Sequence, residues 1–257
     1  MNVGGIETWI MNVLRHIDRA RIQFDFLVEA RDECTYEREI TDAGGRLYRA
    51  PSLHRRGRVA LRLAEVLRRH GPYHAFHAHG RHSMAIPVAV AAGCRIPVRI
   101  AHVHNQTDYH NATALQRTYK RATKQALLRG ATWILGCSSP SLESLYGPGA
   151  PERLAKLQVL PYGIDLARFR RRDSRAAVAA EFGIPDGVKI LGNVGRFAPV
   201  KRHEVMLDIF AELVRRGEPW RLLLVGDGVT RADTERKAAA MGLADKVVFT
   251  GSRADVP

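Results

Sequence analysis

Three things are scarce in this sequence: cysteine, long apolar stretches and acidic charge. The 257 residues hold only three cysteines, Cys34, Cys94 and Cys137, odd in number and without metal-ligand spacing. That excludes a disulfide scaffold and a cysteine-based zinc site, and it fits reduced thiols in a cytoplasmic setting. The longest apolar run, Met84 to Cys94, is broken by Pro87 and far too short to cross a bilayer. Met1 leads directly into Asn, Val, Gly and Gly, with no basic-then-apolar leader. Against 40 Lys and Arg stand 26 Asp and Glu, a formal net charge of +14. An excess of that size implies attraction to something anionic: nucleic acid, a phospholipid surface or a phosphate-rich substrate. Charge alone does not choose among them. Zinc-finger spacing, an RNA-binding aromatic motif and a helix-turn-helix pattern are all missing, so no specific nucleic-acid partner is expected.

What is present is a soluble composition, 46% hydrophobic and 26% charged, in a chain long enough for two α/β domains. The stretch Lys189 to His203, KILGNVGRFAPVKRH, reads as an apolar strand, a turn at Gly195 and then a helix opened by Arg196 and Lys201. Glycine permits a tight turn, and helix-start N–H groups favour an anion. Two cations five residues apart suit a diphosphate, which takes charge-assisted hydrogen bonds from more than one side. The bland alternative is a strand-loop-helix turn with two solvated cations.

At the other end, Gly4 and Gly5 run straight into a helical pattern of Ile6, Trp9, Ile10, Val13, Leu14 and Ile17. No strand precedes this glycine loop, so the first strand of the unit is expected to be missing. Strands follow at Phe24 to Ala30, Arg46 to Ala50, Tyr73 to His79, Pro97 to His104, Ala131 to Cys137 and Leu157 to Leu160. Helices are expected over Thr35 to Ala43, Arg58 to His70, His82 to Gly93 and Thr113 to Arg129. The third strand places His77 and His79 on one face and the fourth does the same for His102 and His104. The histidines of the third strand read as structural or substrate-contacting, not as metal ligands, because no carboxylate or Cys partner has useful spacing. His104 sits at a carboxyl-terminal strand tip, where ligands bind in open α/β sheets. Arg55, Arg58, Arg62 and Arg69 form a basic stripe on one helix, readable as a solvated face or as an interfacial face for anionic lipid.

The run Arg168 to Arg175, with five arginines, marks a composition shift. Strand-helix alternation then restarts, with strands at Lys189 to Val194, Arg221 to Val225 and Lys246 to Thr250 and helices at Lys201 to Arg216 and Arg231 to Met241. The expected architecture is two Rossmann-like, doubly wound α/β domains, 1–164 and 165–257, with a ligand in the cleft between them. The second has few strands for a free-standing parallel sheet.

Those residues resemble a family 4 glycosyltransferase of the GT-B fold, nearest its capsule and exopolysaccharide branch. The resemblance runs through GGIETWIMNVLRHID, FHAHG, RIAHVHN, PYGIDLARF, VGRFAPVKRH, LLLVGDG and VVFTGSRADV, in that order and at that spacing. Singly each is weak; together they cover nearly the whole chain. The resemblance implies that Gly4 and Gly5 approach the donor phosphates and the acceptor. It implies that His104 lies near the donor sugar and that Arg196 and Lys201 hold the departing diphosphate. It puts Arg253 in a loop that meets the base mainly through backbone. The implied reaction is sugar transfer from a nucleoside-diphosphate donor to a saccharide or lipid-linked acceptor, with retained anomeric configuration. It needs no metal and no cofactor beyond the donor. The place of action is the cytoplasmic face of the membrane, with an anionic membrane surface as a further partner.

The family's acidic pair, two Glu separated by seven residues, has no counterpart in this sequence. Glu29 with Glu37, and Glu204 with Glu212, share the spacing at the wrong places. The expectation is therefore a second domain that is incomplete and a fragment lacking both ends. The alternative reading is a non-catalytic fragment that binds nucleotide or another anion.

Overall fold

A computed structural model describes residues 4–29, 32–50, 56–105, 113–169, 175–253 and 255–256. The chain divides into two compact units, Met1–Asp165 and Leu166–Pro257.

In the first unit, helix α1 spans Gly5–His16. Of its expected apolar stripe Trp9 and Leu14 are buried and Ile6, Ile10 and Val13 are half-buried, while Met11, outside that stripe, is buried with them. Strands β1 (Phe26–Val28) and β2 (Leu47–Arg49) pair in parallel around the short helix α2 (Glu37–Asp42). Met11, Leu14 and Ile40 form the small core beneath them. Among the described residues these two strands pair only with each other. Helix α3 (Arg56–His70) buries Leu63 and Leu67 against Ala91 and Ile96.

The main sheet of this unit is parallel, in the order β3 (Ala75–Gly80), β4 (Val98–Val103), β5 (Trp133–Gly136), β6 (Leu157–Val159). Between these strands come α4 (Ala85–Gly93), α5 (Ala114–Gly130), α6 (Ser139–Tyr146) and α7 (Ala150–Arg153). Crossover helices pack on such a sheet because parallel strands must be covered to bury their side chains. The core follows: Val88, Ala101, Val103, Leu127, Ile134, Leu142 and Leu145 are buried together. Thr113 caps α5 by accepting from Gln116 N while Gln116 Oε1 accepts from Thr113 N, a reciprocal capping box.

The second unit holds α8 (Arg175–Glu181) and a parallel sheet in the order β7 (Lys189–Val194), β8 (Trp220–Val225), β9 (Val247–Gly251). Helices α9 (His203–Arg215) and α10 (Arg231–Ala240) connect the strands. Phe197, Leu207, Phe210, Leu222, Leu224 and Val247 make its core. Among the described residues no helix is long and apolar enough to cross a membrane.

The basic stripe on α3 is partly neutralised. Glu65 accepts from Arg62 at 2.7 Å and from Arg69 at 3.0 Å, while Arg62 Nε also donates to the Arg49 carbonyl. Arg55 lies outside the described residues, as do 170–174 of the arginine run.

Candidate active site

The first unit builds a histidine face. Parallel register sets His79 of β3 opposite His102 of β4, and period-two alternation then brings His77, His79, His102 and His104 onto one side. The four rings pack on one another, with centroids 4.2 Å apart for His77–His79 and for His102–His104, and 5.3 Å apart for the parallel His77–His102 pair. Trp9, projecting from α1, sets its ring edge-on against His102 at 5.1 Å. Tyr162, from the PYGID stretch, stacks on Trp9 at 5.2 Å. Two hydrogen bonds tie the imidazoles in pairs: His77 Nε2 with His102 Nδ1 at 3.3 Å and His79 Nδ1 with His104 Nε2 at 2.9 Å. His104 Nδ1 bonds to the Tyr162 hydroxyl, and the Cys137 thiol donates to the His104 carbonyl at 3.4 Å.

Removal from water disfavours the charged imidazoles. Burial pushes His79 down to about 2, His104 to about 3, and His77 and His102 to about 4. Neighbouring histidines add to this for His77, His79 and His104. The cluster is therefore neutral at biological pH. Ligand nitrogens of His77, His79 and His102 lie within 4.8 Å of one another, a three-nitrogen set that the sequence spacing did not reveal. One nitrogen of each is engaged in the pairs above, while His102 Nε2 is buried without a hydrogen-bond partner among the described residues.

Gly4 and Gly5 stand at the start of α1. Gly4 is its extended N-cap, and no side chain caps the helix. The Glu7 carboxylate lies over this end: a Cβ built on Gly4 would come within 2.4 Å of Glu7 Oε2, whereas Gly5 has open space. An anion arriving here competes with Glu7.

The second unit presents the loop from Gly195 to Arg202. Its geometry corrects the sequence reading at two points. Lys201 does not open the α-helix. It closes a 3-10 turn, Pro199–Lys201, and Arg202 at φ 53° separates that turn from α9. Proline presets the first turn, and the left-handed residue resets the axis before His203. Nor is Gly195 the residue that must be glycine: a Cβ there would meet nothing closer than Asn193 Oδ1 at 3.7 Å. That demand falls on Gly226 and Gly228. A Cβ on Gly226 would lie 2.1 Å from the Gly195 carbonyl oxygen, and one on Gly228 would lie 2.3 Å from that of Phe197. The two loops are laced backbone to backbone, with Gly195 N donating to Val225 O and Phe197 N to Asp227 O, both at 2.9 Å.

Arg196 and Lys201 are exposed on this braced loop. Among the described residues neither has a carboxylate partner. The cations around them are committed: Arg202 to Glu204, Arg231 to Asp227 and Glu235, and Lys237 to Asp208. Between them lies a residue that the sequence reading passed over. His203 is 2% exposed, stacks flat on Phe197 at 4.1 Å, and has no hydrogen-bond partner at either ring nitrogen among the described residues.

Arg253 is committed as well. It pairs with both oxygens of Glu181, at 2.5 and 3.2 Å, and of Asp255, at 2.8 and 2.6 Å, and covers the Phe182 ring. Its side chain is thereby anchored. The two rejected Glu pairs have other partners: Glu37 takes Arg49, Glu204 takes Arg202, and Glu212 takes Arg215 and Arg216.

Comparison with known proteins bears on this geometry. The model of the glycosyltransferase family 4 domain matches residues 3–168, more than half of the chain. The chain belongs to glycosyltransferase family 4. A second family model, glycosyl transferases group 1, matches residues 174–257. EpsF of Bacillus subtilis (strain 168), which carries the name of a glycosyltransferase, is 32% identical over 255 residues, 98% of this chain and 66% of EpsF. The GDP-mannose-dependent alpha-(1-6)-phosphatidylinositol monomannoside mannosyltransferase of Mycolicibacterium smegmatis is 24% identical over 96% of this chain and 63% of its own length. The chain thus spans slightly under two thirds of these relatives. In fold it is similar to Anabaena Alr3699/HepE, crystallised in complex with UDP and glucose, with a TM-score of 0.77 at 18% identity over 98% of this chain and 67% of that one. The GT-B fold, with Rossmann-like parallel α/β units, follows from that likeness.

Proposed function

We propose that this family 4 chain carries the nucleotide-diphosphate grip and the histidine face of a retaining glycosyltransferase. The enzyme moves a sugar from a nucleoside-diphosphate donor to a saccharide or lipid-linked acceptor in cell-surface polysaccharide synthesis. The observation that carries the proposal is the pair of cations Arg196 and Lys201, without a carboxylate partner among the described residues, on a backbone-braced loop where Arg202, Arg231 and Lys237 are paired. In breaking the glycosidic bond, negative charge collects on the departing diphosphate. Cations held in place beforehand stabilise that state more than the ground state. The neutral His104 suits hydrogen bonding to a sugar hydroxyl, because a neutral imidazole keeps a lone pair that can accept. The UDP bound to Alr3699/HepE supports a nucleotide-sugar donor, and the name of EpsF supports glycosyl transfer.

The test is calorimetric titration of the chain with UDP and with GDP. Arg196→Ala and Lys201→Ala should each weaken binding about tenfold or more, since each removes a charge-assisted bond of roughly 1.5–3 kcal/mol. Arg202→Ala, which removes a cation already paired with Glu204, should change affinity by less than about twofold. Equal losses in all three, or no nucleotide binding, would overturn the assignment. Binding without turnover of any nucleotide sugar would mark the chain as a binding fragment.

A further inference from the structure

Both ring nitrogens of His104 are occupied, and the two partners restrict where its proton can sit. A neutral imidazole carries one N–H and one lone pair. If the Tyr162 hydroxyl donates to His104 Nδ1, the proton of His104 lies on Nε2 and is donated to His79 Nδ1 across 2.9 Å. If instead His104 Nδ1 carries the proton, Tyr162 must accept it and His79 must donate to Nε2.

The surroundings choose between these. A phenol is a good donor and a poor acceptor, because its oxygen lone pair is shared with the ring. Burial pushes the Tyr162 hydroxyl up to about 12, so it keeps its proton throughout the biological range. Tyr162 also lies flat on Trp9, with ring planes 25° apart, which aims its hydroxyl at the histidine face. Trp9 in turn packs against His79, His102 and His104, so one indole sets the position of donor and acceptors together.

We propose that Tyr162 is a positioning residue: its hydroxyl donates to His104 Nδ1, fixes the Nε2–H tautomer, and occupies the place that a sugar hydroxyl takes on binding. The exchange falls on the Tyr162 side because Tyr162 is 37% exposed, whereas His79 is held in the ring stack. His104 then meets a sugar as a hydrogen-bond acceptor, and its proton stays on the His79 side. The tautomer stands on the geometry alone; the sugar in place of Tyr162 rests on the glycosyltransferase reading above.

The experiment is nitrogen NMR of the chain labelled with 15N-histidine, near pH 7.5, with His104 assigned by its disappearance in His104→Asn. The expected result is a protonated Nε2 and an unprotonated Nδ1 at the shift of a lone pair that accepts a hydrogen bond. Tyr162→Phe keeps the ring stacked on Trp9 and should move Nδ1 toward the shift of a bare lone pair, leaving Nε2–H in place. A wild-type Nδ1–H tautomer, or an Nδ1 resonance indifferent to Tyr162→Phe, overturns the proposal. In the wild type, UDP-glucose or GDP-mannose that calorimetry shows to be bound should perturb Nδ1 more than the matching nucleotide diphosphate does. Equal perturbation rejects the exchange with a sugar hydroxyl. Failure of nucleotide binding counts against the function proposed above, and the tautomer is read without any ligand.

Discussion

Gly226 shows what a single residue can enforce. Its φ of 139° and the 2.1 Å that would separate an added Cβ from the Gly195 oxygen leave no room for a side chain. The obstacle is backbone, which cannot swing aside as a side-chain end can. Gly226→Ala should therefore destabilise the second unit by more than about 1 kcal/mol and weaken nucleotide binding with it, because the displaced strand end carries Arg196. Thermal melts with and without UDP measure both effects. Gly195→Ala, at a position with room for a Cβ, should change stability much less. Comparing the two variants separates a glycine required by packing from one that merely occurs in the motif. His203, buried and unpartnered between Phe197 and the cations, is the other residue to which spacing gave no clue. Its character appears only once Phe197 is seen stacked on it.

At the scale of elements, the β3–β4 pair converts four ordinary histidines into a neutral, packed cluster, with His102 buried and His79 and His104 partly so. In the unfolded chain each takes up a proton near 6.5; in the folded stack uptake waits until about 2 to 4. Between those limits the unfolded state binds more protons, so stability is fully present above about 6.5 and falls as pH drops below it. The melting temperature should decline from pH 7 to pH 5.5, before most carboxylates titrate. His79→Gln should flatten that decline, because it removes one of the four proton uptakes that favour the unfolded chain. A wild-type melting temperature constant over this range, or an unchanged slope in the variant, would contradict the cluster. The sequence reading had each strand's histidines on one face. Joining the two pairs needed the register of β3 against β4, which follows from how the crossover helix α4 packs and not from spacing within either strand.

For the whole molecule the governing quantity is charge. A net +14 makes weak, salt-sensitive attachment to polyanions a general property and not evidence of a nucleic-acid function. Retention on heparin and on anionic vesicles should fall steeply with NaCl, without dependence on sequence for any nucleic acid. Arg58→Glu should reduce it no more than a Glu placed at another exposed cation, since Arg62 and Arg69 of the same helix are already balanced by Glu65. A disproportionate loss for Arg58→Glu would restore α3 as a dedicated membrane face.

The sequence by itself determined the α/β alternation, the family and the identity of the charged residues, because these rest on local periodicity and on motifs whose order survives divergence. The apolar run of β8 and the stripe of α9 are legible residue by residue, since burial of one face dictates them. Tertiary structure alone decided which glycines the loops after β7 and β8 require, where α9 begins, and that Tyr162 and Trp9 hold His104. Each depends on groups far apart in the chain meeting at contact distance: Gly226 on Gly195, Phe197 on His203, Tyr162 on His104. Spacing along one segment carries no information about the partner that another segment brings to it.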